Sequence, residues 1–281
     1  MPNHNADHVN RKPLYPIATG LHPKGRLPEK VKAILFDIYG TLFISDSGDI
    51  GNAKKELKNK APLEKLFNRF SINKPVDKTL NHFFHTIEEA HARLKKSGID
   101  FPEIEIDRIW MEVLGIDDRE TIHHFAASYE MIVNPVFPMP HLPETLAFCR
   151  EKQIVMGIVS NAQFFTLDLF TAFLDAEPGK LGFDPDLIFL SYQFGYAKPS
   201  LFLFQKAISK LAEKNITPDA TVYAGNDMLN DIYPAREAGF KTALFAGDKR
   251  SLRLRAKDPR CKNMTPDIVI TDLIQLADHL A

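Results

Sequence analysis

The sequence predicts an α/β fold, a doubly wound parallel sheet carrying an inserted all-helical domain. Two observations predict the sheet. Short runs that are apolar on both faces recur along the chain, as suits strands buried inside a parallel sheet. Stretches with helical spacing separate them, the alternation that builds right-handed βαβ units of Rossmann-like type. A third observation predicts the insert. Residues 46–136 are rich in charge and helical periodicity and hold no convincing strand, too long a stretch for a βα connection of about two to six residues.

Taken in order, residues 1–29 are polar and broken by Pro13, Pro16, Pro23 and Pro28, so an irregular N-terminal arm is expected there. The core is expected from 30–45 and 137–281. Its first strand is "VKAILF", which runs into Asp37. The insert follows as a helical cap, with "LNHFFHTIEEAHARLKK" and "IDRIWMEVL" as its clearest helices. Phe83, Ile87 and Leu94 fall at helical spacing and Trp110 is expected in the cap core, which leaves the histidines around 82–85 and 123–125 at its margin rather than on a metal. Beyond the cap, strands are expected at "IVMGIVS" (154–160), "TVYAG" (221–225), "TALFAG" (242–247) and "DIVI" (267–270). Helices are expected at "LPETLAFCREK", "SLFLFQKAISKLAEK", "NDIYPAREAGF" and "LIQLADHLA".

Composition excludes several classes. With 35 Lys plus Arg against 36 Asp plus Glu and 44% hydrophobic residues, the chain has no bias toward polyanions or membranes. Its two cysteines, Cys149 and Cys261, lie far apart and outside any Cys-x-x-Cys pattern, so neither a disulfide framework nor a thiolate metal cage is expected. No apolar core of a signal peptide and no run near the roughly 18 apolar residues of a membrane span occurs, and a cytoplasmic location is expected. The basic segment 249–262, expected near the active edge, reads as a solvated loop and helix, with steering of anionic substrates as the alternative. It lacks the interleaved aromatics of a nucleic-acid site.

Ligands of open α/β sheets bind beyond the carboxyl ends of the strands. There the sequence places Asp37 with Thr41, Ser160 with Asn161, Asp227 with Asp231, and Lys198 just before Pro199. Singly, each has a plain reading: a turn aspartate, a helix cap, a solvated lysine, acids at a helix N-terminus. Four strand-end coincidences in one order argue instead for a shared site.

The ordered stretches "FDIYGTL", "GIVSN", "YAKPS" and "GNDMLNDI" resemble the four motifs of the haloacid dehalogenase superfamily, hydrolases with a Rossmann-like core and commonly a helical cap after the first motif. The resemblance implies Asp37 as nucleophile, and Thr41 and Ser160, beside Asn161, as ligands of a substrate oxyanion. It also implies Lys198 as a charge clamp, and Asp227 and Asp231 as metal carboxylates. Attack by a carboxylate divides one difficult substitution into two through a covalent ester. A Mg²⁺ ion on Asp37, a backbone carbonyl at Tyr39, and the acidic pair would relieve repulsion between that carboxylate and a phosphate.

Tyr39 stands where phosphatases of this superfamily usually carry a general acid–base aspartate, and dehalogenases of the superfamily carry tyrosine there. The acidic fourth motif, with Asp227 four residues before Asp231 although Asn226 intervenes after Gly225, points the other way. So does the lack of any arginine between Gly40 and Arg69; Lys54 and Lys55 are the nearby cations. The expected function is therefore a Mg²⁺-dependent phosphatase of a small, anionic phosphorylated metabolite. A metal-independent 2-haloacid dehalogenase is the first alternative, and a non-catalytic protein that binds a ligand or partner is the second. Asp46 and His82 are candidates for the missing proton transfer.

Overall fold

The computed structural model describes residues 13–27, 31–46 and 60–280. Lys54, Lys55 and the first part of the arm lie outside these residues. A seven-stranded sheet forms the core. In chain order its strands are β1 (Lys24–Gly25), β2 (Ala33–Phe36), β5 (Val155–Ser160), β6 (Phe183–Leu190), β7 (Thr221–Gly225), β8 (Lys241–Phe245) and β9 (Ile268–Ile270). They lie in the order β1-β9-β8-β7-β2-β5-β6. All pairs are parallel except β1 with β9. The fold is thus α/β with a mostly parallel sheet and an inserted helical region.

Position explains composition. β2 is central, paired to β5 on one side and β7 on the other, and all four of its residues are buried. A strand covered on both faces has no use for a polar residue until it ends. Side chains of β2 pack alternately into two core clusters, Ile34 and Phe36 into one and Ala33 and Leu35 into the other. From β2 the chain builds outward through β5 and β6, and then crosses back to β7 on the other side of β2, so the carboxyl end of β2 is a topological switch point. Asp37, Ser160 and Asp227 all emerge there.

After β2 the chain forms β3 (Phe43–Ser45), which pairs antiparallel with β4 (Val136–Pro138), Ser45 opposite Val136. The helical region leaves and returns through this ribbon. It comprises α1 (Ala61–Arg69), α2 (Val76–Lys96), α3 (Ile106–Leu114) and α4 (Arg119–Val133). Leu80, Phe83, Phe84, Ile87 and Ala90 form the buried stripe of α2, and they join Trp110, Phe125 and Tyr129 in a core of their own. His82 and His85 are exposed beside that stripe. Among the described residues no helix is long and apolar enough to cross a membrane.

Three elements depart from the sequence reading. The arm is not wholly irregular: β1 adds an antiparallel edge strand to β9, and Lys249 N–H donates to Ile17 O at 2.8 Å. β6, an outer strand of the sheet, was not expected, because Asp184, Pro185 and Asp186 interrupt its start and mask the apolar run that follows. Segment 249–262 forms turns rather than a helix, and its basic residues are partly consumed in ion pairs.

Candidate active site

Asp37 sits one residue beyond β2, where its N–H still donates to Ala224 O of β7 at 2.9 Å. The chain then turns sharply. Gly40 adopts φ +82°, and a Cβ there would come within 2.5 Å of Ser251 Cβ and 2.7 Å of the Asn226 amide, so glycine is required for both conformation and space.

Two donors hold one oxygen of Asp37. Ser160 Oγ donates to Oδ1 at 2.8 Å, and Lys198 Nζ donates to the same oxygen at 2.8 Å. Among the described residues Oδ2 has no hydrogen-bond donor. Lys198 is 5% exposed and its other two protons go to Asp231 Oδ1 at 2.5 Å and Tyr223 Oη at 2.8 Å. Tyr223 donates in turn to Val159 O at 2.7 Å. Burial opposes the charge of Lys198, but the carboxylates of Asp231 and Asp37 hold its pKa above the ordinary value. Burial pushes Asp231 upward; Lys198 resists that shift, while Asp37 and Asp227 add to it. A saturated ammonium thus ties Asp37 to the last acid of the fourth motif.

Lys198 reaches this place because Asn161 clasps its backbone on both sides. Asn161 Oδ1 accepts from Lys198 N–H at 2.7 Å, and Nδ2 donates to Lys198 O at 3.1 Å. Asn161 therefore positions the lysine loop. Thr41 is fully buried and donates to Asn226 Oδ1 at 3.1 Å, so its hydroxyl is spent on the loop after β7. Ser160 is likewise spent, on Asp37. Neither lines the cavity below, unlike the substrate ligands expected from the sequence.

Asp231 Oδ2 accepts from Asp227 N–H at 2.8 Å. Asp227 caps the following turn, Oδ1 accepting from Leu229 N–H at 2.8 Å and Asn230 N–H at 3.3 Å, much as its plain reading foresaw. Its carboxylate also holds Arg255, Nη2 to Oδ2 at 2.6 Å. Every oxygen of Asp227 and Asp231 therefore already has a protein donor, and among the described residues no group of three or more His, Cys, Asp or Glu could hold a metal. As arranged, the donor set does not fit a divalent ion, because Lys198 and Arg255 supply the positive charge that the motif reading assigned to Mg²⁺.

The Tyr39 hydroxyl lies 3.1 Å from Thr166 Oγ1. Burial, with the charge of Glu130 next in weight, raises its phenol far above the ordinary value. It is a proton holder rather than a base. Asp46 is exposed, 3.9 Å from Arg250, and neither it nor His82 lines the cavity.

Over these groups lies a cavity of about 490 Å³ between the core edge and the helical region. Asp37, Tyr39, Asn161, Lys198, Asp227 and Asp231 line its core side together with Arg253 and Arg255. The sequence reading missed Arg255, Tyr223 and Asn226. Tyr223 had one legible signal, a phenol in mid-strand between the apolar Val222 and Ala224.

A profile of haloacid dehalogenase-like hydrolases matches residues 31–239. Glyceraldehyde 3-phosphate phosphatase from Methanocaldococcus jannaschii is 25% identical over 252 residues, covering 88% of this chain and 96% of that relative. Among solved structures, a 2-haloacid dehalogenase from Pseudomonas syringae pv. Tomato DC3000 superposes with a TM-score of 0.56 at 20% identity, covering 89% of this chain and 98% of that one. A predicted phosphoglycolate phosphatase from Haemophilus somnus superposes with a TM-score of 0.50 at 15% identity, covering 88% and 97%. Because the family profile spans most of the chain, from the strand before Asp37 to the loop after the acidic pair, the chain belongs to the haloacid dehalogenase-like hydrolases.

Proposed function

We propose that the protein is a phosphohydrolase that transfers the phosphoryl group of a small anionic ester to Asp37 and then to water. One observation carries this reading: Asp37 lines the cavity with Oδ1 held by both Ser160 and Lys198, while among the described residues nothing donates to Oδ2. In the first step Oδ2 forms a bond to phosphorus while the ester P–O bond breaks, and the leaving oxygen departs with the bonding pair. In the second, water attacks phosphorus, the aspartyl P–O bond breaks, and the carboxylate is restored. Lys198 balances charge beside the nucleophile, and Arg253 and Arg255 add positive charge at the cavity wall, where electrostatic stabilisation of a transferring phosphoryl group acts. In this reading Mg²⁺, the expected cofactor, enters only by displacing Arg255 from Asp227, and the chemistry runs on the protein's own cations. The matched phosphatase relative supports a phosphate ester as substrate.

Halide displacement from a 2-haloacid is the second reading. Tyr39 favours it, as do the protein cations that stand where a metal was expected. The phosphatase relative, matched over most of both chains, weighs against it.

The test measures phosphate release from p-nitrophenyl phosphate and halide release from 2-chloropropionate, each with Mg²⁺ and with EDTA, using Asp37→Asn as the blank. Phosphate release that vanishes in the variant is expected. Halide release that EDTA leaves intact would replace the first reading by the second. Silence in both assays, with ligands still bound, would favour a non-catalytic protein.

A further inference from the structure

The cavity changes character across its width. The lysine and arginines that line it, Lys198, Arg253 and Arg255, all stand on the core side; among the described residues the helical region adds none to the lining. It adds aromatic surface instead. Phe83 and Trp110 stack with ring centroids 3.8 Å apart at 15°, and Tyr129 meets Trp110 edge-on at 4.9 Å. Glu103 and Glu130 stand on that side as well, so among the described residues a second anion placed there would meet carboxyl groups and no lysine or arginine.

Two polar atoms on this side have no partner among the described residues. Tyr129 Oη and His91 Nε2 are both buried without a hydrogen bond, and both residues line the cavity. Tyr129 is 5% exposed. Buried polar atoms of folded proteins are nearly always paired, so an orphaned pair beside a cavity calls for a partner that the described residues do not supply.

We propose that this cap-side half is a subsite for an uncharged, ring-sized apolar group with a hydroxyl-like substituent. Granted the phosphate-transfer reading above, on which this rests, the substrate is then a monophosphate of an aromatic or similarly apolar alcohol, not a compound with an anion at each end. The phosphoryl group faces Asp37 and the core-side cations. The ring lies against Trp110 and Phe83, and its far substituent reaches Tyr129 and His91.

Trp110 is the protein's sole tryptophan, so its emission reports occupancy whether or not turnover occurs. The intact protein is titrated with benzylphosphonate, with phosphonoacetate, and with the neutral alcohols tyrosol and phenethyl alcohol, which differ by one phenolic hydroxyl. Saturable change is expected with benzylphosphonate and with both alcohols, tyrosol the tighter, and phosphonoacetate should bind at least about tenfold more weakly than benzylphosphonate. Tyr129→Phe, which removes only an unpaired hydroxyl and should fold at least as well, is expected to cut the advantage of tyrosol by about three- to tenfold and leave phenethyl alcohol unchanged.

Phosphonoacetate binding as tightly as benzylphosphonate, or emission indifferent to both alcohols, would overturn the subsite while leaving phosphate transfer standing. An unchanged tyrosol advantage in Tyr129→Phe would also overturn it, because the orphaned atoms then serve only water. Binding of the neutral alcohols without phosphate release in the enzyme assay would sustain the subsite and remove the phosphatase reading instead.

Discussion

Arg255 and Asp227 form a two-pronged ion pair at the edge of the site, with Nη2 2.6 Å from Oδ2 and Nε 3.1 Å from each carboxylate oxygen. The pair takes up the first acid of the fourth motif. Met228 N–H donates to Arg253 O and Arg253 N–H to Asn226 O, so the two loops are stitched together around it. An ion that needs Asp227 must compete with a guanidinium already in place.

Replacing Arg255 by Ala should therefore change the metal response more than the fold. Because the Arg255 side chain is 35% exposed, the pair adds modestly to stability, within about 1 kcal/mol. Without added metal, phosphate release should fall, because a cation at the cavity wall is lost. With Mg²⁺ it should recover, at a midpoint about tenfold below that of the unaltered protein, corresponding to about 1.4 kcal/mol of relieved competition. Initial rates against Mg²⁺ concentration check this. Identical midpoints for the two proteins would mean that Arg255 does not guard the acid.

Tyr39 offers a gain-of-function test. Its phenol, raised by burial and by the charge of Glu130, is ill suited to protonate a leaving alkoxide or to accept a proton from water. Tyr39→Asp restores a carboxyl at that position. General acid catalysis contributes about a hundredfold or more when its geometry is good. An imperfectly placed carboxyl should still raise kcat/KM for alkyl phosphates by about tenfold relative to aryl phosphates, whose leaving groups need no proton. A ratio that stays constant would place the proton donor elsewhere.

The same deficit should appear in the time course. With an aryl phosphate the first step needs no acid, whereas hydrolysis of the aspartyl phosphate still needs water to be deprotonated. Release of the aryl alcohol should then show a burst that approaches one equivalent per active site, followed by a slower steady rate. Rapid-mixing absorbance with p-nitrophenyl phosphate measures it, and a strictly linear trace would show that the second step is the faster one.

The sequence made the site legible wherever a residue's neighbours in the chain also determine its surroundings. β2 buries both faces, so its apolar run announces a central strand, and Asp37 as its first polar residue falls at the switch point. Ser160 ends β5 in the same way, and Asp227 follows β7. Lys198 was legible as part of the motif order, but the donors that position it were not. Its loop is clasped by Asn161, and its ammonium is seated by a tyrosine in mid-strand. Arg255 was illegible for a physical reason. It lies within a run of basic residues whose charges look alike, and only the turn of the backbone around it, with φ +49° at Arg255 itself, selects it over Arg253 for the ion pair. The aromatic wall was likewise read as cap core, which Trp110 and Phe83 are. That they also face a cavity depends on how the helical region sits over the sheet, which local periodicity does not encode.

Lys198 gives the sharpest prediction for stability. It is the one cation in contact with Asp37 and Asp231 among the described residues, and all three are buried. In Lys198→Met the two carboxyls lose that partner, and removing one member of a buried pair costs about 3–5 kcal/mol. The loss should depend on pH. Burial already raises the Asp231 carboxyl with the lysine present; without it, that shift grows. A carboxyl whose folded pKa exceeds its unfolded value of about 3.9 binds a proton more tightly in the native state. Its contribution is fully present below the unfolded value and is lost as pH rises through the folded one. The unfolding midpoint of Lys198→Met should thus lie well below that of the unaltered protein near about pH 8, and the gap should narrow as pH falls toward about 5 and the buried Asp231 carboxyl becomes protonated. Thermal melts of both proteins across that range test the sign. A gap that stays constant or widens toward acid would mean that the buried carboxyls find another counter-charge, and with it that Lys198 is not what makes Asp37 tolerable beside Asp231.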